Sequence, residues 1–252
     1  DQPEPIERNL SKLIEEVSDE TADIGLAIDG DADRIGIISH GGKFINPLET
    51  YALLAYHQLE VLQRSGALVR SVTTTNMINR LASLYKVPVI EGPVGFKHLG
   101  PLMMKEDALI AGEESGGFAF QGNIPERDGI LSGLMILDLI VKTQMGIEDL
   151  LNTITDKVGP HMFRRMDIKI KDSQKQTIEA KIKSYNPEVL GNKKVTRIEH
   201  DDGSRYILDG GYWVMARLSG TEPLLRIYAE SDSELSLIHI SEPTRLGMIS
   251  YA

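Results

Sequence analysis

Ile6, Leu10, Leu13, Ile14 and Val17 recur at steps of three and four, the spacing that gathers apolar side chains into one stripe of a helix. Residues 24–28 then read as a strand. Beyond a polar, acidic segment at 29–34, residues 35–38 read as a second strand, and Gly41-Gly42 supplies the flexible backbone for a return into Phe44-Ile45. Leu53, Leu54, Tyr56, Leu59 and Leu62 predict a helix over 48–62. A strand at 68–73, a helix at 78–85 and a strand at 87–90 follow. Further strands are predicted at 109–111 and 118–120, and an apolar helix at 131–141 packs on the same sheet. Strand and helix in alternation imply parallel pairing, so residues 46–146 are expected to form an α/β/α sandwich with a mixed sheet.

The period changes after Gly159-Pro160. Met166, Ile168 and Ile170 alternate with charged residues, a polar helix is predicted at 174–184, and strands follow near 195–198, 206–208, 213–217 and 225–228. That pattern predicts a smaller α+β C-terminal domain with a mostly antiparallel sheet over 161–234. Residues 147–160, with a short helical stretch at 147–154, are expected to be the linker, and residues 1–45 to be the end of a preceding domain. The chain begins at Asp1 without methionine or signal peptide, which suggests a truncated start. Ser236-Leu-Ile-His-Ile-Ser-Glu-Pro-Thr-Arg245 resembles translated adapter sequence, so residues 235–252 are expected to be a non-native tail; a native C-terminal helix is the alternative.

At 252 residues the chain can hold one large or two smaller domains, and with 41% apolar and 25% charged residues it reads as a soluble globular protein. No apolar run approaches the roughly 18 residues of a membrane span. With 27 Lys and Arg against 37 Asp and Glu, the net charge is 27 − 37 = −10, which argues against a duplex nucleic-acid partner. Small phosphorylated ligands need only a local basic pocket and stay open. The absence of cysteine removes disulfides, thiolate metal sites and cysteine nucleophiles, and agrees with a cytoplasmic setting.

Four loops carry candidate chemistry. In Asp29-Gly-Asp-Ala-Asp-Arg34, three carboxylates at alternate positions of a short loop can converge on one cation, and an all-oxygen set favours a hard ion, Mg²⁺ or Ca²⁺. An EF-hand is excluded: its sixth position would be Arg34 and its twelfth His40, where glycine and glutamate are required. Arg34 beside the aspartates suggests that an anion shares the site; an acidic turn without an ion is the plain reading. Gly112-Glu-Glu-Ser-Gly-Gly117 follows an apolar strand, and its carboxylates and hydroxyl are groups that bind sugar hydroxyls, although polar turns of this kind are common. Arg217-Leu-Ser-Gly-Thr-Glu-Pro223, with Arg226 on the next strand, has the make-up of a phosphate cradle or of an ordinary capped hairpin. In Gly92-Pro-Val-Gly-Phe-Lys97-His98, Lys97 and His98 can bind phosphate, move a proton, or simply be solvated. Arg127-Asp128-Gly129 is read with the same caution, Asp128 as the cap of the following helix.

In this order and spacing the loops resemble the α-D-phosphohexomutase family, over about residues 6–232. The resemblance implies Mg²⁺ held by Asp29, Asp31 and Asp33, one ion per site, and Arg34 beside the phosphate or in proton transfer. It implies sugar binding by Glu113 and Ser115, and phosphate binding by Arg217, Ser219, Gly220 and Thr221. Lys97 matches the family's active-site lysine. The expected activity is interconversion of hexose 1- and 6-phosphates, of glucose or mannose, through a phosphoserine enzyme and a bisphosphorylated sugar. The family's Thr-Ala-Ser-His-Asn-Pro-like serine loop is not found in this chain, which is therefore expected to be an incomplete, inactive part. Gly117 stands where some members have histidine, leaving Lys97, His98 and Arg34 as acid/base candidates. The alternative is a non-catalytic sugar-phosphate-binding or regulatory protein that lacks the first domain.

Overall fold

The computed structural model describes residues 4–19, 22–220 and 222–241. They form two compact units, divided between Val158 and Gly159.

In the first unit, helix α1 (Ser11–Ser18) lies on a three-stranded antiparallel sheet, β1 (Ile24–Ile28), β2 (Ile35–Ser39) and β3 (Lys43–Ile45), in the order β1-β2-β3. The close fit of helix to sheet uses Gly25, where an added Cβ would stand 2.9 Å from Leu13 and Val17 side-chain atoms. Helix α2 (Pro47–Tyr56) is opened by Asn46, whose side chain accepts from Leu48 N and Glu49 N while Glu49 Oε2 accepts from Asn46 N, a capping box ahead of a buried helix. It runs on into a π-helical turn at His57–Val61.

A second sheet contains β4 (Leu68–Ser71), β5 (Val89–Gly92), β6 (Ile110–Gly112) and β7 (Phe118–Phe120) in the order β5-β4-β6-β7, parallel except for β7. Helices α3 (Met77–Tyr85), α4 (Phe96–Lys105), α5 (Gly129–Thr143) and α6 (Ile147–Val158) complete the unit. This is the α/β/α sandwich with a mixed sheet that the periodicity implies.

Two expectations are corrected here. The stretch 92–98 reads in sequence only as a loop, yet α4 begins at Phe96. Gly100 and Pro101 obscure a valid helical spacing of Phe96, Leu99 and Met103, all buried. Gly100 is required by packing, since an added Cβ would stand 2.7 Å from the Pro125 carbonyl oxygen. Residues 147–160 are not a linker along most of their length. Helix α6 buries Ile147, Leu150, Ile154 and Val158, the 3-4-4 stripe of a core helix, and Arg80 Nη1 donates to the Val158 carbonyl at 2.7 Å.

The second unit has β8 (Met162–Lys169), α7 (Lys175–Ser184), β9 (Val189–Leu190), β10 (Lys193–Glu199), β11 (Ser204–Leu208), β12 (Trp213–Leu218) and β13 (Leu224–Ser231). The sheet order is β8-β13-β12-β11-β10-β9, antiparallel throughout. Ile178 and Ile182 of α7 pack with Tyr206, Val214, Ala216 and Leu225 in one core. Residues 234–241, most of which the sequence assigns to the tail, form helix α8 (Glu234–Ser241), and Leu237 and Ile240 are buried in that same core. The tail beyond Ser241 lies outside the described residues. Among the described residues no single helix is long and apolar enough to cross a membrane.

Candidate functional site

The acidic loop joins β1 to β2, and its shape is fixed by its first carboxylate. Asp29 is buried; its Oδ1 accepts from Asp33 N at 3.0 Å and Arg34 N at 3.1 Å, and its Oδ2 accepts from Arg34 Nε at 2.6 Å. Ala32 takes a left-handed conformation, φ 60°, and its carbonyl accepts from Gly129 N at 2.9 Å. That glycine is obligatory in shape: an added Cβ would lie 2.6 Å from the Arg34 carbonyl oxygen. Candidate ligand atoms of Asp29, Asp31 and Asp33 lie within 4.8 Å of one another, the separation that one small cation can bridge. The donor set is carboxylate only, which suits a hard divalent ion.

The electrostatics divide the three. Burial opposes ionisation of Asp29, but bonds from Arg34 and Asp33 outweigh it and hold the carboxyl below its ordinary range. Asp33 is pushed up, because burial and the neighbouring Asp29 and Asp31 prevail over the Arg127 guanidinium. Arg34, also bonded to Glu4 at 3.1 Å, is held protonated despite burial, which makes it a poor proton donor.

The loop of Gly112–Gly117 leaves the carboxyl end of β6, beside the carboxyl ends of β4 and β5. Crevices at this edge of parallel sheets are the usual ligand positions of α/β domains. Glu113 is buried; its Oε1 accepts from Gly95 N at 2.8 Å and its Oε2 lies 3.6 Å from Arg127 Nη1. Burial, aided by Glu114, raises its carboxyl. Glu114 is anchored elsewhere, accepting from Thr73 Oγ1 at 2.6 Å and Ser71 Oγ at 3.3 Å. The Ser115 hydroxyl is buried and has no partner among the described residues.

The sugar-type loop and the acidic loop are fastened together. Ile35 N donates to the Gly116 carbonyl at 3.0 Å, Arg34 bridges to Gly117, and Arg127 pairs with both Asp33 and Glu113. Arg127 is incidental as a sequence feature, yet it links the two candidate subsites, and its guanidinium lies 5.9 Å from the Phe96 ring centroid. No sequence signal marks it; in the fold an added Cβ at Gly117 would stand 2.2 Å from Arg127 Cδ, so the arginine fills the space that a side chain there would need. Lys97 and His98 lie in the first turn of α4, exposed and without ion pairs among the described residues.

In the second unit, β12 ends at Leu218 and β13 begins at Leu224. Ser219 N donates to the Leu224 carbonyl at 2.9 Å and Ser219 Oγ accepts from Glu222 N at 3.3 Å, while Gly220 faces open space. Arg217 and Arg226 stand directly opposite in the ladder and share one sheet face. Arg217 Nε donates to Asp202 Oδ1 at 2.8 Å, and Arg226 Nη2 donates to Glu222 Oε2 at 2.8 Å. Thr221 lies outside the described residues. Ala216–Gly220, the turn at 200–203 and α7 border a cavity of about 390 Å³.

Models of the phosphoglucomutase/phosphomannomutase domains match in family order: domain II over 1–42, the α/β/α domain III over 46–158 and the C-terminal domain over 167–240. The chain belongs to the α-D-phosphohexomutase family. The chain is 32% identical over 232 residues to a phosphoglucomutase/phosphomannomutase of Thermococcus kodakarensis, covering 92% of this chain and 48% of the relative. A phosphoglucosamine mutase of Polynucleobacter asymbioticus is 30% identical, covering 88% and 45%. A solved structure from Thermus thermophilus, assigned as a phosphomannomutase, superposes with a TM-score of 0.80 at 29% identity, covering 96% of this chain and 50% of that one. The chain spans about half the length of the curated relatives it matches. The family's domain III model ends at residue 158, the last residue of α6, in agreement with that helix being part of the sandwich.

Proposed function

We propose that the chain is part of a Mg²⁺-dependent phosphohexomutase that interconverts hexose 1- and 6-phosphates of glucose, mannose or both. The observation that carries this reading is the fastening of the acidic loop to the sugar-type loop by Arg127, which joins a cation-type cluster and hydroxyl-binding groups in one site.

Asp29, Asp31 and Asp33 would hold the ion. When bound, Mg²⁺ neutralises charge on the phosphoryl group in transfer. Arg127 keeps Asp33 and Glu113 in register, so that the sugar is presented to the acidic loop. Glu113 accepts from sugar hydroxyls, and the unpartnered Ser115 hydroxyl supplies a further contact. Lys97 or His98, on the exposed first turn of α4, takes the proton from the hydroxyl oxygen that is phosphorylated, and returns it in the reverse step. Arg34, tied to Asp29 and Glu4, is left to electrostatic support. Arg217, Arg226, Ser219, Gly220 and Thr221 hold the phosphate that does not react.

In this scheme a phosphoserine outside these motifs gives its phosphoryl group to the free sugar hydroxyl. The bisphosphorylated sugar then turns over and returns its other phosphate to the serine, so that the two isomers exchange with no net loss of phosphate. The test is calorimetric titration of the chain with MgCl₂ and with glucose 6-phosphate, alongside ³¹P NMR of glucose 1-phosphate. Binding of both without turnover is expected, with Mg²⁺ binding lost in Asp33→Asn and sugar-phosphate binding lost in Glu113→Ala. Absence of any Mg²⁺ or sugar-phosphate binding refutes the reading, and turnover by the chain alone refutes the external serine.

A further inference from the structure

Arg217 and Arg226 form a like-charge pair at directly opposite ladder positions, where side chains come within about 5 Å and repel. Such a pair destabilises a sheet unless carboxylates flank it or an anion occupies it. Carboxylates do flank it in this fold. Asp202 accepts from Arg217 Nε, and Glu222 accepts from Arg226 Nη2.

The Asp202 contact is set by the backbone rather than by chance side-chain proximity. Gly203 has φ +101°, and an added Cβ would lie 2.4 Å from the Ala216 carbonyl oxygen and 3.1 Å from Arg217 Cα. The turn between β10 and β11 is thus pressed onto β12 at the arginine itself, and only glycine permits the approach. Both side chains are mostly buried, 17% exposed for Arg217 and 23% for Asp202, so the pair is partly shielded from water. The bond uses Nε alone, and Nη1 and Nη2 make no bond to any described residue. A guanidinium is a rigid plane, so anchoring Nε fixes the direction of the remaining fork, the geometry that grips a phosphate with two parallel bonds.

We propose that Asp202 is a positioning residue for the phosphate site: it orients the Arg217 fork before the ligand arrives, and so raises affinity for the phosphate group although its own charge is of the same sign. This rests on the reading of the 217–221 segment as a phosphate cradle. Partners that orient a ligating side chain are commonly worth tenfold or more in affinity.

The test is calorimetric titration of the full 252-residue chain with glucose 6-phosphate, with the melting temperature of each variant measured in parallel. Asp202→Ala is expected to weaken binding about tenfold. Asp202→Asn, whose amide oxygen accepts the same Nε–H, is expected to stay within about threefold of the original, since the hydrogen bond rather than the charge does the orienting. In an Arg217→Ala background, Asp202→Ala is expected to change nothing further, which a general structural role would not reproduce. If Arg217→Ala binds as well as the original chain, the phosphate reading itself fails, and this proposal with it. If Arg217→Ala weakens binding to a measurable extent but Asp202→Ala binds equally well or more tightly, the cradle stands and the positioning role is overturned. Weakening by Asp202→Ala that persists without Arg217 overturns it also.

Discussion

Replacing Asp31 by asparagine should stabilise the metal-free chain and weaken its response to Mg²⁺. Candidate ligand atoms of Asp29, Asp31 and Asp33 lie within 4.8 Å of one another, where two unit charges in water repel by about 0.9 kcal/mol. Asp31 is the exposed member, so the water value applies to its two interactions, about 2 kcal/mol together. Arg34 and Arg127, which pair with Asp29 and Asp33, offset roughly half of this, leaving about 1 kcal/mol to be relieved. For the unit of residues 1–158 that corresponds to a rise in Tm of about 2–4 °C in EDTA. Mg²⁺ at about a hundred times its Kd stabilises the original chain by about 2.7 kcal/mol by mass action, and the variant much less. The order of melting should therefore invert, with Asp31→Asn above the original chain in EDTA and below it in saturating Mg²⁺. Scanning calorimetry in the two buffers reads this directly. Equal Mg²⁺ shifts in both proteins, or a variant that melts lower in EDTA, would refute the view that the loop is a repulsive cluster held ready for a cation.

The place of α6 in the core makes Leu150→Ala costly, about 2–5 kcal/mol of unfolding free energy in urea, whereas a linker residue would cost almost nothing. Burial raises the Glu113 carboxyl, so the folded state binds a proton more tightly than the unfolded chain, and stability falls as pH rises past the ordinary glutamate range. Glu113→Gln is accordingly expected to match or exceed the original stability at pH 7 while losing sugar-phosphate binding, checked by melting and titration on one preparation. His57 is lowered by burial, which prevails over its bond to Asp138 at 2.7 Å. Its contribution is full above about pH 6.5 and is lost as pH falls through the depressed folded value, so urea stability should drop between pH 7 and 5 by more in the original chain than in His57→Gln.

Much of the candidate site was legible because its candidate chemistry is concentrated in contiguous loops. Three carboxylates at alternate positions, a glycine-bounded Glu-Glu-Ser and an Arg-x-Ser-Gly-Thr segment declare themselves without knowledge of their neighbours, and their order carried the family. Most strands and helices were legible for a related reason, since a buried stripe at period two or near three and a half is a local property of the chain. The antiparallel second unit and the mixed sheet of the first followed from those periods.

What the sequence left undecided depends on contacts between residues far apart in the chain. Arg127 looks like a solvated arginine until the fold brings Asp33 and Glu113 to it from different loops. Glu113 and Glu114 are chemically alike and adjacent, yet one is buried beside Gly95 and Arg127 while the other is bound to Ser71 and Thr73, a division that only the packing of three strand ends can impose. Gly100 obscures a helix in the sequence, and nothing in the sequence singles out Gly203. In the folded chain each marks a place where another segment's backbone comes too close for a Cβ. Local composition thus determined which candidate groups the chain carries, and tertiary packing decided which of those groups are buried, paired or left without a partner, because burial and pairing are properties of neighbours in space.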